Sequence, residues 1–177
     1  MKTKMAKVEL LIPFILRWEG GFVDDPDDRG GATNKGITIA TYRFYRRQRG
    51  YATTTVADLK NISDAEWADV LKSLYWDKWQ ADKIVNQSIA NILVDWVWAS
   101  GSYGIKLPQK MLGVTADGIV GNQTLAAVNS YTPPCELFEK IRQERISFVN
   151  RIVAARPANR KFRRGWLNRI NDLKFEE

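Results

Sequence analysis

A chain of 177 residues is long enough for one domain with a sizeable core and short for two. With no histidine it cannot assemble a Ser-His-Asp or Cys-His site, or a His-bearing zinc centre, of its own, and its single cysteine forms neither an internal disulfide nor a cysteine cluster. The net charge of +7 favours an anionic partner, and carboxylates are what remains for hydrolytic chemistry.

At the N-terminus Lys2, Lys4 and Lys7 precede an apolar run over residues 8–16 that Glu9 and Pro13 interrupt. A signal peptide needs a longer uninterrupted run and a small-residue cleavage site, so the expectation is mature protein made in the cytoplasm, without a transmembrane span. Leu10, Leu11, Phe14, Ile15 and Trp18 have the offsets of one helical face, and Gly20-Gly21 is expected to supply the positive φ that ends the helix. Glu19 is then its last residue. The negative end of the helix dipole and the Trp18 indole disfavour an ionised carboxylate there, so a proton is held to higher pH, as a general acid requires.

The next stretch carries Asp24, Asp25, Asp27 and Asp28 around Pro26, five glycines between positions 20 and 36, and the hydroxyls of Thr33 and Thr38. It reads as a tight polar loop or short β-hairpin suited to sugar recognition and carboxylate chemistry. Taken alone, Gly-Gly is also an ordinary helix stop and the Asp cluster ordinary turn chemistry. The spacing does not follow an EF-hand loop, and no metal is expected.

Ile37 to Gly50 begins with β-formers and ends with Arg46, Arg47 and Arg49 before Gly50, a basic helix end. Ser63 and Glu66 have capping-box spacing and open a helix with Trp67, Val70, Leu71, Leu74 and Tyr75 on its apolar face. Tyr75, Trp76 and Trp79 either pack in the core, the favoured reading for any single Trp, or border a saccharide groove, stacking on a pyranose while Asp77 or Asp82 takes its hydroxyls. They are carried as substrate-binding candidates, and exposure decides between the two readings.

Ser88 to Ser100 is apolar nearly all round and ends at Gly101, the pattern of a buried central helix. Asp95 on it must be hydrogen-bonded or neutral, and with Asn91 it either pins the core or faces a cleft, the core being favoured. From Pro108 short helices alternate with glycine turns, and Cys135 after Pro133-Pro134 reads as a packing residue. Pro157 divides the C-terminal section into helices over 136–156 and 159–172. Between Lys140 and Lys174 eleven Lys/Arg face two acids, whereas residues 1–139 carry sixteen of each sign. The charge excess is therefore local to these helices.

Three stretches together resemble glycoside hydrolase family 108, the lysozyme-like N-acetylmuramidases of phage endolysins and bacterial genomes: Glu19-Gly20-Gly21-Phe22 through Asp28-Arg29-Gly30-Gly31-Ala32-Thr33-Asn34-Lys35-Gly36-Ile37-Thr38; Tyr75-Trp76-Asp77-Lys78-Trp79-Gln80-Ala81-Asp82-Lys83-Ile84, similar to the family's aromatic motif; and Gly113 to Leu125, similar to its peptidoglycan-binding-like segment. The resemblance implies a mainly α, α+β lysozyme-like single domain, with a catalytic part over 1–101 and the peptidoglycan-binding-like segment and basic helical pair over 102–177. It implies Glu19 as the catalytic acid. Phage lysozymes of another family place an Asp nine residues after the catalytic Glu and a Thr fifteen after; here Asp28 is nine and Thr33 fourteen after Glu19. That likeness implies that Asp28 and Thr33 hold the attacking water, with Asp25 as the reserve and as a substrate contact.

The implied reaction is hydrolysis of the β-1,4 bond between N-acetylmuramic acid and N-acetylglucosamine, with no cofactor, peptidoglycan glycan strands as the partner and a monomer as the working form. The implied place of action is the cell wall, reached by a phage endolysin through a holin-type pore. A nucleic-acid-binding protein also explains a basic end, but the basic residues are interleaved with Phe148, Val149, Ile152, Phe162, Trp166 and Leu167 as amphipathic helices without a nucleic-acid motif. A non-catalytic wall-binding or secretion-associated protein on the same fold is the other alternative, and the presence of Glu19 favours the enzyme.

Overall fold

The computed structural model describes residues 5–25 and 30–176; the chain is mainly helical, with one two-stranded antiparallel sheet among the described residues. It divides into two compact units, residues 9–74 and residues 75–176 joined by 5–8.

In the first unit α1 spans Ile12–Trp18, and Leu11 and Ile15 are fully buried. The strands β1 (Thr33–Asn34) and β2 (Ile37–Thr38) follow, paired Thr33 to Thr38 and Asn34 to Ile37. Both residues of the connecting loop have positive φ, Lys35 at 47° and Gly36 at 82°, the requirement of a type I′ hairpin. Val23 lies antiparallel to Thr33, with hydrogen bonds of 2.9 and 2.8 Å. The Thr38 hydroxyl accepts from the Thr41 N–H and caps α2 (Ile39–Gln48).

Two helices close this unit. Thr55 opens α3 (Val56–Lys60) with a full capping box to Asp58 that the sequence reading missed. Ser63 caps α4 (Asp64–Leu71) as expected, but Glu66 does not return to the cap. Its carboxylate accepts from the Tyr42 hydroxyl at 2.8 Å and from Arg46 Nε at 2.9 Å. Asp69 likewise accepts from the Tyr45 hydroxyl at 2.6 Å and from Arg49 at 2.5 Å. Burial and these carboxylates push both phenols well above the usual tyrosine range.

The helical run widens into a π turn over Lys72–Trp76 as the chain leaves the first unit. The second unit is built on α5 (Gln87–Ser100), capped by Asn86 and buried from Ser88 to Val97 at every position but Asn91. Against it pack α6 (Tyr103–Leu112) and α8 (Pro134–Ala155), with α7 (Asn122–Ser130) on α6 and α9 (Arg160–Asp172) on α8. Pro157 separates α8 from α9 as expected, in a short 3₁₀ turn. The N-terminal segment is tied to this unit by Ala6 N–H to Ile84 and Lys7 N–H to Gln87.

Pro108 lies inside α6 rather than at a boundary. Lacking an N–H, it leaves the Gly104 carbonyl without its helical donor, and the Trp79 indole N–H fills that place at 3.2 Å. Gly104 itself is dictated by contact: a Cβ there would lie 2.5 Å from the Val97 backbone nitrogen.

Asp95 is fully buried and bound on both sides, to Arg145 at 3.0 Å and to Arg169 at 2.7 Å. It pins the core, and of the eleven basic residues of the C-terminal helices Arg145 is therefore internal and Arg169 partly so. Cys135, expected to pack, is exposed in the first turn of α8.

Candidate active site

The local architecture around Glu19 explains why a carboxyl group stands there. α1 stops because Glu19 turns extended (φ −97°, ψ 143°) while its N–H still bonds the Ile15 carbonyl at 3.1 Å. Neither Gly20 nor Gly21 has a positive φ. The expected glycine stop is thus corrected: the helix ends by extension of Glu19, which needs no glycine. Among the described residues a Cβ at either glycine would meet nothing within 4 Å, so the pair leaves open ground beside the acid.

Positive φ is needed instead across the loop, at Gly36. There a Cβ would lie 2.6 Å from Glu19 Cδ and 2.8 Å from its Oε2. The carboxyl group is seated on the bare Cα of the hairpin turn, and the partly buried Glu19 is held between a helix end and a β-turn.

The turn is itself anchored. Asn34, 5% exposed, donates to the carbonyls of Leu59 at 3.0 Å and Lys60 at 3.2 Å. The Trp67 indole N–H donates to the Lys35 carbonyl at 3.0 Å, and Lys35 Nζ meets Asp64 at 3.2 Å. Backbone carbonyls of α3 and side chains of α4 thereby set the height of Gly36 under Glu19. These supports were missed in the sequence because a polar residue that serves a carbonyl twenty-five positions away has no local signal.

Of the remaining candidates, Thr33 lies in β1, half-buried, on the hairpin that carries Gly36, and Asp25 is exposed two residues past the Val23 bridge. Asp28 lies outside the described residues. The hydroxyl of Thr38 is committed to capping α2.

The aromatic candidates belong to the second unit, and two of them are corrected. Trp76 and Trp79 are fully buried, with indole N–H groups given to Asp82 at 2.7 Å and to the Gly104 carbonyl. Neither presents a ring face on which a sugar can stack; they are core residues, because the π turn and the 3₁₀ turn of residues 77–79 roll them inward. Tyr75 is half-buried and tilted against Trp98 at 4.7 Å.

The segment resembling a peptidoglycan-binding repeat is organised by Gln109, which is fully buried. Its Nε2 donates to Asp117, the Ile119 carbonyl and Thr124, and its Oε1 accepts from the Gly118 N–H. The Ile119 N–H holds the Asp117 carboxyl below the usual range.

No curated protein matches the chain. Among solved structures, that of Brucella abortus SagA superposes with a TM-score of 0.76 at 28% sequence identity, over 94% of this chain and 90% of that one. The match supports the expected mainly α, lysozyme-like fold. The "Predicted Peptidoglycan domain" family model matches residues 103–171, so that likeness extends well beyond the Gly113–Leu125 stretch and takes in the basic helices. The "Glycosyl hydrolase 108" model matches residues 12–101, from α1 through the hairpin to the end of α5. With the acid, its glycine seat and half of the chain inside that match, the chain belongs to the glycosyl hydrolase 108 family.

Proposed function

We propose that this glycoside hydrolase is an N-acetylmuramidase that cleaves the β-1,4 bond between N-acetylmuramic acid and N-acetylglucosamine, with Glu19 as the general acid. The observation that carries the reading is the seating of the Glu19 carboxyl on Gly36. A general acid must be held within hydrogen-bond reach of the leaving oxygen, and a carboxyl fixed between a helix end and an anchored turn loses little freedom when substrate arrives.

In this reading Glu19 protonates the glycosidic oxygen as the bond to the muramic acid C1 breaks, and an oxocarbenium-like centre develops at that carbon. The open ground at Gly20-Gly21 admits the glycan chain. Asp28 serves the opposite face of the sugar, either activating water or attacking directly; Thr33 orients the water, and Asp25 is the reserve. The basic C-terminal surface draws the enzyme to the anionic wall.

The test is wall lysis by wild type and Glu19→Gln, with released fragments examined by mass spectrometry for new reducing-end N-acetylmuramic acid. General acid catalysis is worth roughly 10²–10⁴-fold, so the folded variant is expected to lose at least that much. Lysis by Glu19→Gln at the wild-type rate removes Glu19 from the mechanism. Wall binding by wild type without glycan cleavage transfers the protein to the non-catalytic reading.

A further inference from the structure

The second unit contains a feature that glycan cleavage does not use. A recess of about 120 Å³ opens among α5, α8 and α9, walled by Trp96, Phe148, Ile152 and Trp166. That is well above the roughly 10–15 Å³ needed for one water. Arg145 and Arg169 line the same recess, and each binds one oxygen of the Asp95 carboxylate.

Arg145 is 3% exposed, and its hydrogen bonds leave from one nitrogen: Nη1 donates to Asp95 at 3.0 Å and to the Ile92 carbonyl at 3.3 Å. A guanidinium has five N–H donors in a fixed fork, and the Nε and Nη2 edge of Arg145 has no acceptor among the described residues. Its plane lies near the Trp96 ring, 5.7 Å from the centroid. Burial, and then the neighbouring charge of Arg169, disfavour its cationic form, which Asp95 only partly offsets. A second carboxylate entering beside it relieves that cost and gains a two-point, charge-assisted contact.

We propose that this recess binds the free α-carboxylate of a short peptide ending in a small apolar residue, the chemistry of the D-alanine terminus of a wall stem peptide, with the Nε/Nη2 edge of Arg145 as the carboxylate receptor. The two tryptophans and Phe148 take the methyl group and adjoining peptide. The identity of the peptide rests on the reading of the chain as a wall hydrolase; the carboxylate chemistry rests on the recess alone.

The probe is N-acetyl-D-alanyl-D-alanine, titrated into the full ¹⁵N-labelled chain while the indole N–H signals of Trp96 and Trp166 are followed by NMR. It contains no glycosidic bond, so its binding is independent of whether the protein cleaves glycan. Saturable shifts of both signals are expected, absent with the C-terminal amide and weakened at least about tenfold by Arg145→Lys, which keeps the charge but removes the fork. Ala99→Trp provides a second variant that spares the buried triad: Ala99 is exposed and borders the recess, so a bulky ring there covers the opening without entering the core, and the same tenfold weakening is expected. No saturable shift up to about 10 mM, equal binding of the amide, unaltered binding by folded Ala99→Trp, or binding of acetate as tight as that of the dipeptide each overturns the proposal.

Discussion

The two units treat charge in opposite ways. In residues 9–74 the carboxylates of Glu66 and Asp69 stand at the edge of the fold, sharing tyrosine hydroxyls and arginines that keep one face in solvent. In residues 75–176 Asp95 lies at zero exposure between two arginines drawn from helices far along the chain. Edge networks are tolerant, because water replaces any partner that is lost. A buried triad is not, because a removed partner leaves a charge in a medium that cannot solvate it. The polar networks of the first unit are thus adjustable, and the one beneath the peptide recess is not.

The sharpest way to break this contrast is Asp95→Ala. It leaves buried Arg145 uncompensated and is expected to cost about 3–5 kcal/mol in urea unfolding; a loss below about 1 kcal/mol would show that the triad is not the keystone of its unit. Next comes Gly36→Ala, which forces a Cβ into Glu19 and strains a residue at φ 82°. Wall-lysis rate should fall by about 100-fold, the scale of a misplaced catalytic group, with about 1 kcal/mol lost in stability. Lysis within twofold of wild type means that the glycine seat does not position the acid.

Alkaline pH separates the units by a smaller margin. The phenols of Tyr42 and Tyr45 are raised in the folded chain, so above about pH 10 the unfolded state releases protons that the native state retains, and stability falls as pH rises. Tyr42→Phe/Tyr45→Phe should flatten that decline in thermal melts monitored between pH 8 and about 11; an unchanged slope assigns it to other groups. The smallest effect belongs to Asp64→Ala, whose partner Lys35 it meets at the surface, with a change within about 0.5 kcal/mol expected in the same melts.

Much of this organisation was legible in the residues. Ser63 marked the start of α4, Pro157 the break between the basic helices, and the apolar run from Ser88 the central helix, because each signal acts within one or two turns of chain. Asp95 was legible only by half. Its burial required partners, yet those stand 50 and 74 positions away, where no periodicity reaches. Trp76 and Trp79 misled for a related reason: aromatic surface beyond one helical face looked like groove lining, and the π turn that rotates it inward has no composition of its own. At the candidate site the Glu-Gly-Gly run drew attention to Glu19 with the wrong account of its glycines. The conformational demand falls on Gly36, sixteen positions further, where hairpin geometry and van der Waals contact coincide.

The exposed thiol of Cys135 has an experimental consequence. It is the chain's only sulfhydryl, on the first turn of the longest described helix, in a protein with no histidine to compete for soft metals or electrophiles. A maleimide dye or nitroxide therefore attaches at one defined point without any substitution, and from there the arrival of the chain on intact cell walls can be watched directly.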